Sequence, residues 1–574
     1  MLDEKTGKDT PQPSLSRRAF LARLSVSAAV ASTAMSAPAV FAKNDDESAD
    51  IDDTSAETHV SGTVGGEARR ERAFQIRLKA AIAEHKVPIP LQIDNGDELL
   101  YPNRIGSFSK ALPHDKIGEV DPRAYGSLLT AVSTGDPQDF DRIPLGGTTK
   151  LANPQGGLTF SLEGTDTGQL TIPPAPALAS AERAGEMVED YWMALTRDIP
   201  FSQYGKEPVT AAAIAELNTL SDFRGPKVAG QVTAGTLFRG RITGFQGGMP
   251  GDLVGPYISQ FLLQDVNFGA LIVKQKYQTR TGGLDYLTDF ASWLRCQNGQ
   301  GPFPPPKNAF SGTTTYIKNG RDLAAYDHVD FYDQAYLTAA LWLLQKNVPF
   351  NKDNPYPTTS NQGGGITFGN NRVLSLLYEV SIQASRAVFY QKWQVHRTLR
   401  PEAYGGLVHN TLTRVADYPL HGDVLNSHAV SSVFSRYGTY LLPHADWDGC
   451  PAHPSYAEAH SSGAGASITA LKWLFDESFV IPNPVVATDD GQSLIAYTGS
   501  DAGQMTVGGE LNKLASNIAL GRDIEAVHWR SDAVEGLLLG EAAAISVLAD
   551  QRSTYNERFG GLTFTMFDGT KITV

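Results

Sequence analysis

Six polar residues in three separated stretches of this chain are of the types that hold a tetrahedral oxyanion and move protons at it. Three are cations and three are imidazoles, namely Lys392, Arg400, Arg522, His453, His460 and His528. Lysine and arginine bind phosphate-like anions through their charge and directed N–H groups. Histidine exchanges protons near neutral pH. A single stretch would not be persuasive, but the ordered set predicts an anion site with acid–base chemistry.

The first stretch places Lys392 and Arg400 eight residues apart, directly before Pro401. On a continuous helix the two side chains would project from similar sides, about 80° apart around the axis. Pro401 is expected to stop or bend that helix. Arg400 would then lie at the helix end with its guanidinium turned inward. A solvated basic helix end is the alternative interpretation of this pair taken alone.

The other two stretches carry the remaining residues. His460 ends the loop-like stretch 453–460, and a run of small residues then leads into a helix. A helix start offers unpaired N–H groups and the positive end of a dipole to an anion. Asp532, four residues after His528, is placed to orient one nitrogen of that ring. A surface histidine at 460 and a core histidine at 528 are the alternatives.

Composition and charge restrict the class of protein. The chain has 574 residues, of which 41% are hydrophobic and 19% charged, as in an ordinary globular protein. Its net charge of −14 argues against general nucleic-acid binding. The positive charge of the anion site must therefore be concentrated locally. The two cysteines, Cys296 and Cys450, form no disulfide framework and are interpreted as structural, with their pairing left open.

The N-terminus predicts export. Ser16-Arg17-Arg18-Ala-Phe-Leu21 has the pattern of a twin-arginine signal, and Val40-Phe-Ala42 suits cleavage by signal peptidase. A chance arginine pair before an anchor is the alternative. Residues 1–42 are predicted to be a signal peptide, and the mature protein to be periplasmic or secreted. No later run approaches the ~18 apolar residues that a spanning helix needs, so no membrane association is expected.

The rest of the chain predicts a mainly α-helical fold with minor β elements. The acidic residues 43–71 are expected to be a disordered spacer, and 72–574 a single domain. Within this domain, residues 72–180 would wrap irregularly, 181–560 would form the helical core and 561–574 a β-hairpin. Helical periodicity is found at 73–83, 181–195, 284–294, 333–344, 372–397, 467–475 and 532–549.

These motifs resemble a known family. Lys-x7-Arg-Pro, a loop ending in His, and Arg-x5-His are similar to the acid phosphatase/vanadium haloperoxidase superfamily. The longer forms 392–402, 453–456 and 527–532 resemble the bromoperoxidases of red algae and their bacterial relatives, as do 95–114 and 251–260. The similarity runs from about residue 72 to the C-terminal hairpin. It implies a large helical-bundle domain of the vanadium haloperoxidase type.

The resemblance also implies roles for the site residues. His528 would bond directly to the vanadium of a bound vanadate. Lys392, Arg400, Arg522 and the N–H of Ala459 would hydrogen-bond the vanadate oxygens, and Lys392 would also polarise a bound peroxide. His460 would act as general acid and base, and His453 would tune the halide side. The implied substrates are hydrogen peroxide and a halide, with iodide or bromide favoured, and the product would halogenate small organic acceptors. A homo-oligomer is also implied.

One departure from the family pattern bears on function. Before the histidine the family usually has Pro, then Ser or Thr, then Gly, whereas this chain has Ala457-Glu458-Ala459. A carboxylate about 4 Å from a bound anion would cost about 4 kcal/mol at an effective dielectric constant of 20. Glu458 could point away, could be protonated and donate a hydrogen bond, or could weaken vanadate binding. Ala526, where the family often has Gly, is a smaller departure.

Two alternative functions therefore remain beside vanadate-dependent halide oxidation. The first is a phosphatase in which His528 is the nucleophile and His460 protonates the leaving group. The second is a scaffold whose catalysis is impaired because Glu458 replaces the usual hydroxyl residue.

Overall fold

The computed structural model describes residues 65–240 and 248–574. The predicted signal peptide and residues 43–64 of the predicted spacer lie outside the described residues. Helix α1 (Gly66–His85) begins before the predicted domain boundary at residue 72. Within the described ranges, none of the helices has both the length and the apolar character needed to cross a membrane.

Helices account for most of the regular structure. After α1 come α2 (Asp97–Leu100), α3 (Pro122–Thr134), α4 (Pro137–Asp141), α5 (Ala181–Thr196), α6 (Pro208–Leu217), α7 (Phe290–Gln297), α8 (Gly320–Val329) and α9 (Gln334–Gln345). They are followed by α10 (Asn370–Tyr390), α11 (Pro401–Leu412), α12 (Gly422–Leu425), α13 (His428–Tyr437), α14 (Ala459–Leu474), α15 (Val507–Glu525) and α16 (Arg530–Arg552).

The strands of the described residues are short and lie in two-stranded sheets. They are β1 (Val266–Phe268), β2 (Leu271–Val273), β3 (Tyr277–Arg280), β4 (Phe310–Thr315), β5 (Val485–Ala487), β6 (Leu494–Ala496), β7 (Thr563–Thr565) and β8 (Lys571–Thr573). Each consecutive pair forms a two-stranded antiparallel sheet. In the last pair Phe564 lies opposite Ile572, which confirms the hairpin predicted at the C-terminus. The predicted mainly α fold with minor β elements is thereby confirmed.

Small residues allow α14 and α16 to pack with their backbones in contact. A Cβ added at Gly465 would lie 2.1 Å from the carbonyl oxygen of Leu537, and one added at Gly540 would lie 1.9 Å from that of Ser462. This contact fixes the start of α14 beside the start of α16. There the amide of Glu458 donates to the carbonyl oxygen of Asp532 at 3.1 Å. The helix packing thus joins two of the three motif stretches.

The helices predicted from hydrophobic periodicity are confirmed in some segments and have different bounds in others. The helices expected at 181–195, 333–344 and 532–549 are confirmed as α5, α9 and α16. The helix expected at 284–294 begins only at Phe290, because Asp289 caps it by accepting from the Ser292 amide at 2.9 Å. The helix expected at 467–475 begins earlier, at Ala459. Helix α3 lies inside the stretch that we expected to be irregular, capped by Asp121 and opened by Pro122.

The two cysteines, Cys296 and Cys450, are buried and are not bonded to each other. They pack within the protein, as a structural interpretation of both requires.

The packing of α14 on α16 makes a stability prediction. We expect Gly540→Ala to lower the free energy of unfolding by about 1–3 kcal/mol, because the new methyl group must push two backbones apart. The matched control is Gly126→Ala on the exposed side of α3, where an added Cβ has no atom within 4 Å. That change should stabilise the protein by up to about 1 kcal/mol. Denaturant unfolding of both variants measures this, and equal behaviour of the two would contradict close backbone packing.

Candidate oxyanion site

Lys392 and Arg400 come from different elements. Helix α10 ends at Tyr390, a single π-helical turn spans Gln391–His396, and Arg397 has a left-handed backbone with φ 38°. Arg400 is the N-cap of the next helix, α11. The prediction that both side chains project from one continuous helix was therefore wrong. Pro401 starts a helix, as its fixed φ and missing N–H allow at a first helical position.

The Arg400 guanidinium joins all three motif stretches. Its Nε donates to the carbonyl oxygen of His453 at 3.0 Å, and its Nη1 to that of Val527 at 2.7 Å. Nη1 also lies 3.0 Å from Nε2 of His528, and Nη2 lies 2.9 Å from Nδ1 of His453. Lys392 links the first stretch to the second, because its Nζ donates to the carbonyl oxygen of Ser455 at 2.6 Å. The buried cations therefore hold the site together by binding its backbone.

His528 lies between α15 and α16 with its ring orientation fixed. Its Nδ1 lies 2.7 Å from Oδ2 of Asp532, as the spacing predicted. The same carboxylate oxygen accepts from the Ser455 hydroxyl. A hydrogen bond to this acceptor requires the proton of the neutral ring to be on Nδ1, which leaves the lone pair on Nε2. Nε2 is the nitrogen that faces Arg400. Ala526, two residues before His528, has φ 79°, a conformation that glycine adopts without strain.

Arg522 is balanced by acidic groups on its other side. Its Nη1 forms an ion pair of 2.6 Å with Oε2 of Glu525 and donates to the carbonyl oxygen of Asp327 at 3.1 Å. Burial acts to lower the pKa of Arg522, but Glu525 and then Glu458 raise it above its usual value. The Nε of Arg522 is buried without a hydrogen-bond partner in the described part of the chain. One N–H group of this cation therefore remains free for an anion.

The basic groups of the site destabilise one another's charges. Burial, and next the Arg400 guanidinium, lower the pKa of Lys392 well below its usual value. The same two causes lower the pKa of His528 and of His453. Both imidazoles are therefore neutral. A bound anion would relieve this repulsion and favour the charged form of Lys392.

Glu458 is the N-cap of α14 and is completely buried. It makes no side-chain capping bond, and neither carboxylate oxygen has a hydrogen-bond partner among the residues that the structure describes. Burial raises its pKa well above the usual value, although Arg522 acts in the opposite direction. The side chain therefore does not point into solvent. Burial therefore favours the protonated form of the carboxyl group, which supports the expectation of a protonated Glu458 over that of a side chain turned away.

His460 is the second residue of α14 and differs from the other site histidines in its access to water. Its side chain is 21% exposed, and its Nε2 lies 3.2 Å from Oδ1 of Asp330. The ring also packs near Tyr332, with centroids 5.7 Å apart. Ala459 is the first residue of the same helix, so its N–H has no partner one turn earlier within the helix. A carboxylate-paired histidine at the solvent side can pass protons between water and the buried groups.

Sequence reasoning missed the residues that support this set. Ser455, Asp327, Asp330 and Glu525 were not singled out, although each contacts a predicted site residue. Asp327 and Asp330 lie three residues apart around the end of α8. This spacing of two acidic residues was only a weak local indication of a functional role. Their approach to Arg522 and His460 depends on tertiary packing. All six predicted polar residues do lie in or next to one buried region.

Proteins similar to this chain are known from both sequence and structure. No family model matches the chain. Vanadium-dependent bromoperoxidases of Corallina pilulifera and Corallina officinalis are each 34% identical to it, over 88% of this chain and 99% of theirs. One from Ascophyllum nodosum is 34% identical over 88% of this chain and 92% of its own length. The chain belongs to the vanadium-dependent bromoperoxidase family. A solved homohexameric vanadate-dependent bromoperoxidase from Ascophyllum nodosum, 30% identical, superposes with a TM-score of 0.84 over 92% of this chain and 94% of its own.

The burial of Glu458, which raises its pKa, predicts a pH-dependent effect on stability. We expect Glu458→Gln to raise the free energy of unfolding above pH ~4.3 and to leave it unchanged below. The raised pKa means that the folded protein keeps a proton that the unfolded chain loses. Wild-type stability from this group is therefore full at low pH and falls by about 1.4 kcal/mol per pH unit until the folded pKa is reached. Glutamine cannot lose that proton.

Denaturant unfolding between pH 4 and 8 measures this difference. The control is Glu71→Gln, the same change at an exposed position on α1. A Glu458→Gln variant less stable than the wild type at every pH would show that the carboxylate is ionised and needed.

Proposed function

We propose that this protein is a vanadate-dependent haloperoxidase that oxidises bromide or iodide with hydrogen peroxide to hypohalous acid. One observation carries the proposal: Nε2 of a neutral, buried His528 faces Arg400, in the same buried region as Lys392 and Arg522. The bromoperoxidase names of the similar proteins agree with it. A histidine phosphatase would use the same cations, but the matched relatives are named as peroxidases.

The residues present fit vanadate. The free Nε of Arg522 and the mutual repulsion of the basic groups both call for a bound oxyanion, and a protonated Glu458 adds no opposing charge. Lys392, Arg400, Arg522 and the amide of Ala459 would hold its oxygens, and His528 would bond to the metal. When bound, vanadate activates hydrogen peroxide towards attack by a halide.

Proton supply falls to His460. The overall reaction joins hydrogen peroxide, a halide ion and a proton to give hypohalous acid and water, so each turnover takes up a proton. Asp330 orients the His460 ring, and partial exposure lets the ring recover its proton from water. His453 contacts Arg400 in the same buried region, and we place the approach of the halide on its side. Small organic acceptors react with the released product, so the site need not bind them.

A peroxide-dependent halide oxidation assay tests this function. Protein dialysed against a chelator should be inactive, and orthovanadate should restore activity that phosphate suppresses. His528→Ala should abolish it, whereas His421→Ala, on a partly exposed histidine elsewhere, should not. Asp532→Asn should weaken vanadate binding about 10-fold to 100-fold, because His528 loses the partner that fixes its tautomer. Hydrolysis of phosphate esters without halide oxidation would instead support the phosphatase.

Glu458→Ser in the same assay tests the impaired-scaffold alternative. A large gain of activity would show that Glu458 weakens the cage. An unchanged, substantial activity would show that the site has adapted to a protonated carboxyl group.

The mature protein is proposed to act outside the cytoplasm as a homo-oligomer. The twin-arginine pattern at 16–21 supports export, and the homohexameric relative supports assembly. The β1–β2 hairpin exposes Phe268, Leu271 and Ile272, which another copy could cover. Light scattering of protein recovered from the periplasm or medium measures both properties. A monomer, or retention in the cytoplasm, would contradict the corresponding part.

A further inference from the structure

A second cluster of ligand-type side chains lies beside the oxyanion site and shares with it only Glu525. His328 lies in the last turn of α8, Glu525 ends α15, and Asp446 lies in the connection between α13 and α14. Nδ1 of His328 is 2.8 Å from Oε1 of Glu525 and 3.7 Å from Oδ2 of Asp446. The three residues offer donor atoms that all lie within 4.8 Å of one another, a spacing that one metal ion can bridge.

Two of the three side chains, Asp446 and Glu525, are held from behind by another group. The third, His328, has Oδ1 of Asp448 at 3.7 Å from its Nε2, too far for a hydrogen bond. Oδ1 of Asp446 accepts from Nε of Arg280 at 2.6 Å, and Oε2 of Glu525 pairs with Arg522 at 2.6 Å. Metal-binding histidines and carboxylates are commonly oriented in this way through the atom that does not face the metal. The remaining atoms, one nitrogen and two oxygens, converge on one point.

A buried atom in this cluster lacks a partner. Asp446 is 1% exposed, and its Oδ2 has no hydrogen-bond partner among the residues that the structure describes. A protonated His328 would satisfy Glu525, but at 3.7 Å it leaves Oδ2 of Asp446 without a hydrogen bond. Leaving a buried carboxylate oxygen unpaired is unfavourable. An ion pair alone therefore does not account for the arrangement.

We propose that His328, Asp446 and Glu525 bind a divalent metal ion of the zinc or manganese type. Imidazole and carboxylate ligands suit these ions. The ion takes the place of the proton that Nδ1 of His328 shares with Glu525, and it coordinates Oδ2 of Asp446. The His328 side chain is 17% exposed and that of Asp448 42% exposed, so water can complete the coordination and the ion can enter from this side.

Calorimetric titration of the untagged, full-length protein with zinc chloride tests the site, after dialysis against a chelator and without vanadate. We expect one ion to bind per chain and a proton to be released. His328→Gln and Asp446→Asn should remove that binding. The matched controls His421→Gln and Asp490→Asn, on side chains elsewhere, should bind as the wild type does.

A second readout identifies the place of binding. The Trp447 ring lies 6.0 Å from the His328 ring, so cobalt bound at this cluster should quench the fluorescence of Trp447. Should Asp446→Asn fail to fold, His328→Gln carries the test, because its side chain is partly exposed. A wild type that takes up no zinc overturns the proposal. Equal binding by the wild type and His328→Gln also overturns it and points to Glu402, His444 and Cys450, whose donor atoms also converge.

Discussion

The enclosure of three cations in one dry region is the constraint on which the rest of this structure depends. Lys392, Arg400 and Arg522 are between 0% and 6% exposed, so water cannot balance their charge. The protein balances it by different means. Carbonyl oxygens from 453–455 and 527 accept from Lys392 and Arg400, whereas Glu525 pairs directly with Arg522. Because each cation reaches a stretch remote in sequence, the groups that would bind an anion also tie the chain together. Removing one of them would leave buried acceptors unpaired as well as an incomplete site.

Close packing of α14 on α16 sets the remaining geometry. Glycines in this contact bring Glu458 and Asp532, each at the start of its helix, within reach of one backbone hydrogen bond. The two carboxyl groups nevertheless have different surroundings. Asp532 has the imidazole of His528 and the hydroxyl of Ser455 as partners, whereas Glu458 has none in the described part of the chain. Asp532 therefore has an orienting role, whereas burial without a partner raises the pKa of Glu458 and favours its uncharged form.

The sequence predicted the site residues better than the way they are brought together. Strong periodicity identified α5, α9 and α16, and the four-residue spacing of His528 and Asp532 correctly gave their hydrogen bond. The eight-residue spacing of Lys392 and Arg400 was misinterpreted, since it fits a helix as well as a π turn followed by a new helix start. Only the left-handed backbone of Arg397 decides between these, and arginine carries no signal for it. The Asp327 carbonyl oxygen that accepts from Arg522 and the Asp330 carboxylate beside His460 lie 195 and 130 residues earlier in the chain, and no local pattern could pair them. Helix α3 was missed although Asp121-Pro122 is a good helix start, because the surrounding glycines and prolines were given too much weight.

Glu525 connects the two clusters of this region. One of its oxygens pairs with Arg522 and the other lies against His328, so its negative charge is shared between an oxyanion-site cation and an imidazole. Burial acts to raise the pKa of Glu525, but Arg522 and then His328 lower it to about 2, so the group stays ionised throughout the physiological pH range. Because Glu525 carries a constant negative charge, a change of charge at His328 alters how strongly Glu525 interacts with Arg522. A divalent ion there would attract the carboxylate more strongly than a shared proton does, and Arg522 would then present more of its positive charge to a bound oxyanion. Through Glu525, a metal ion bound by His328 and Asp446 would thereby change the affinity of the oxyanion site for its anion.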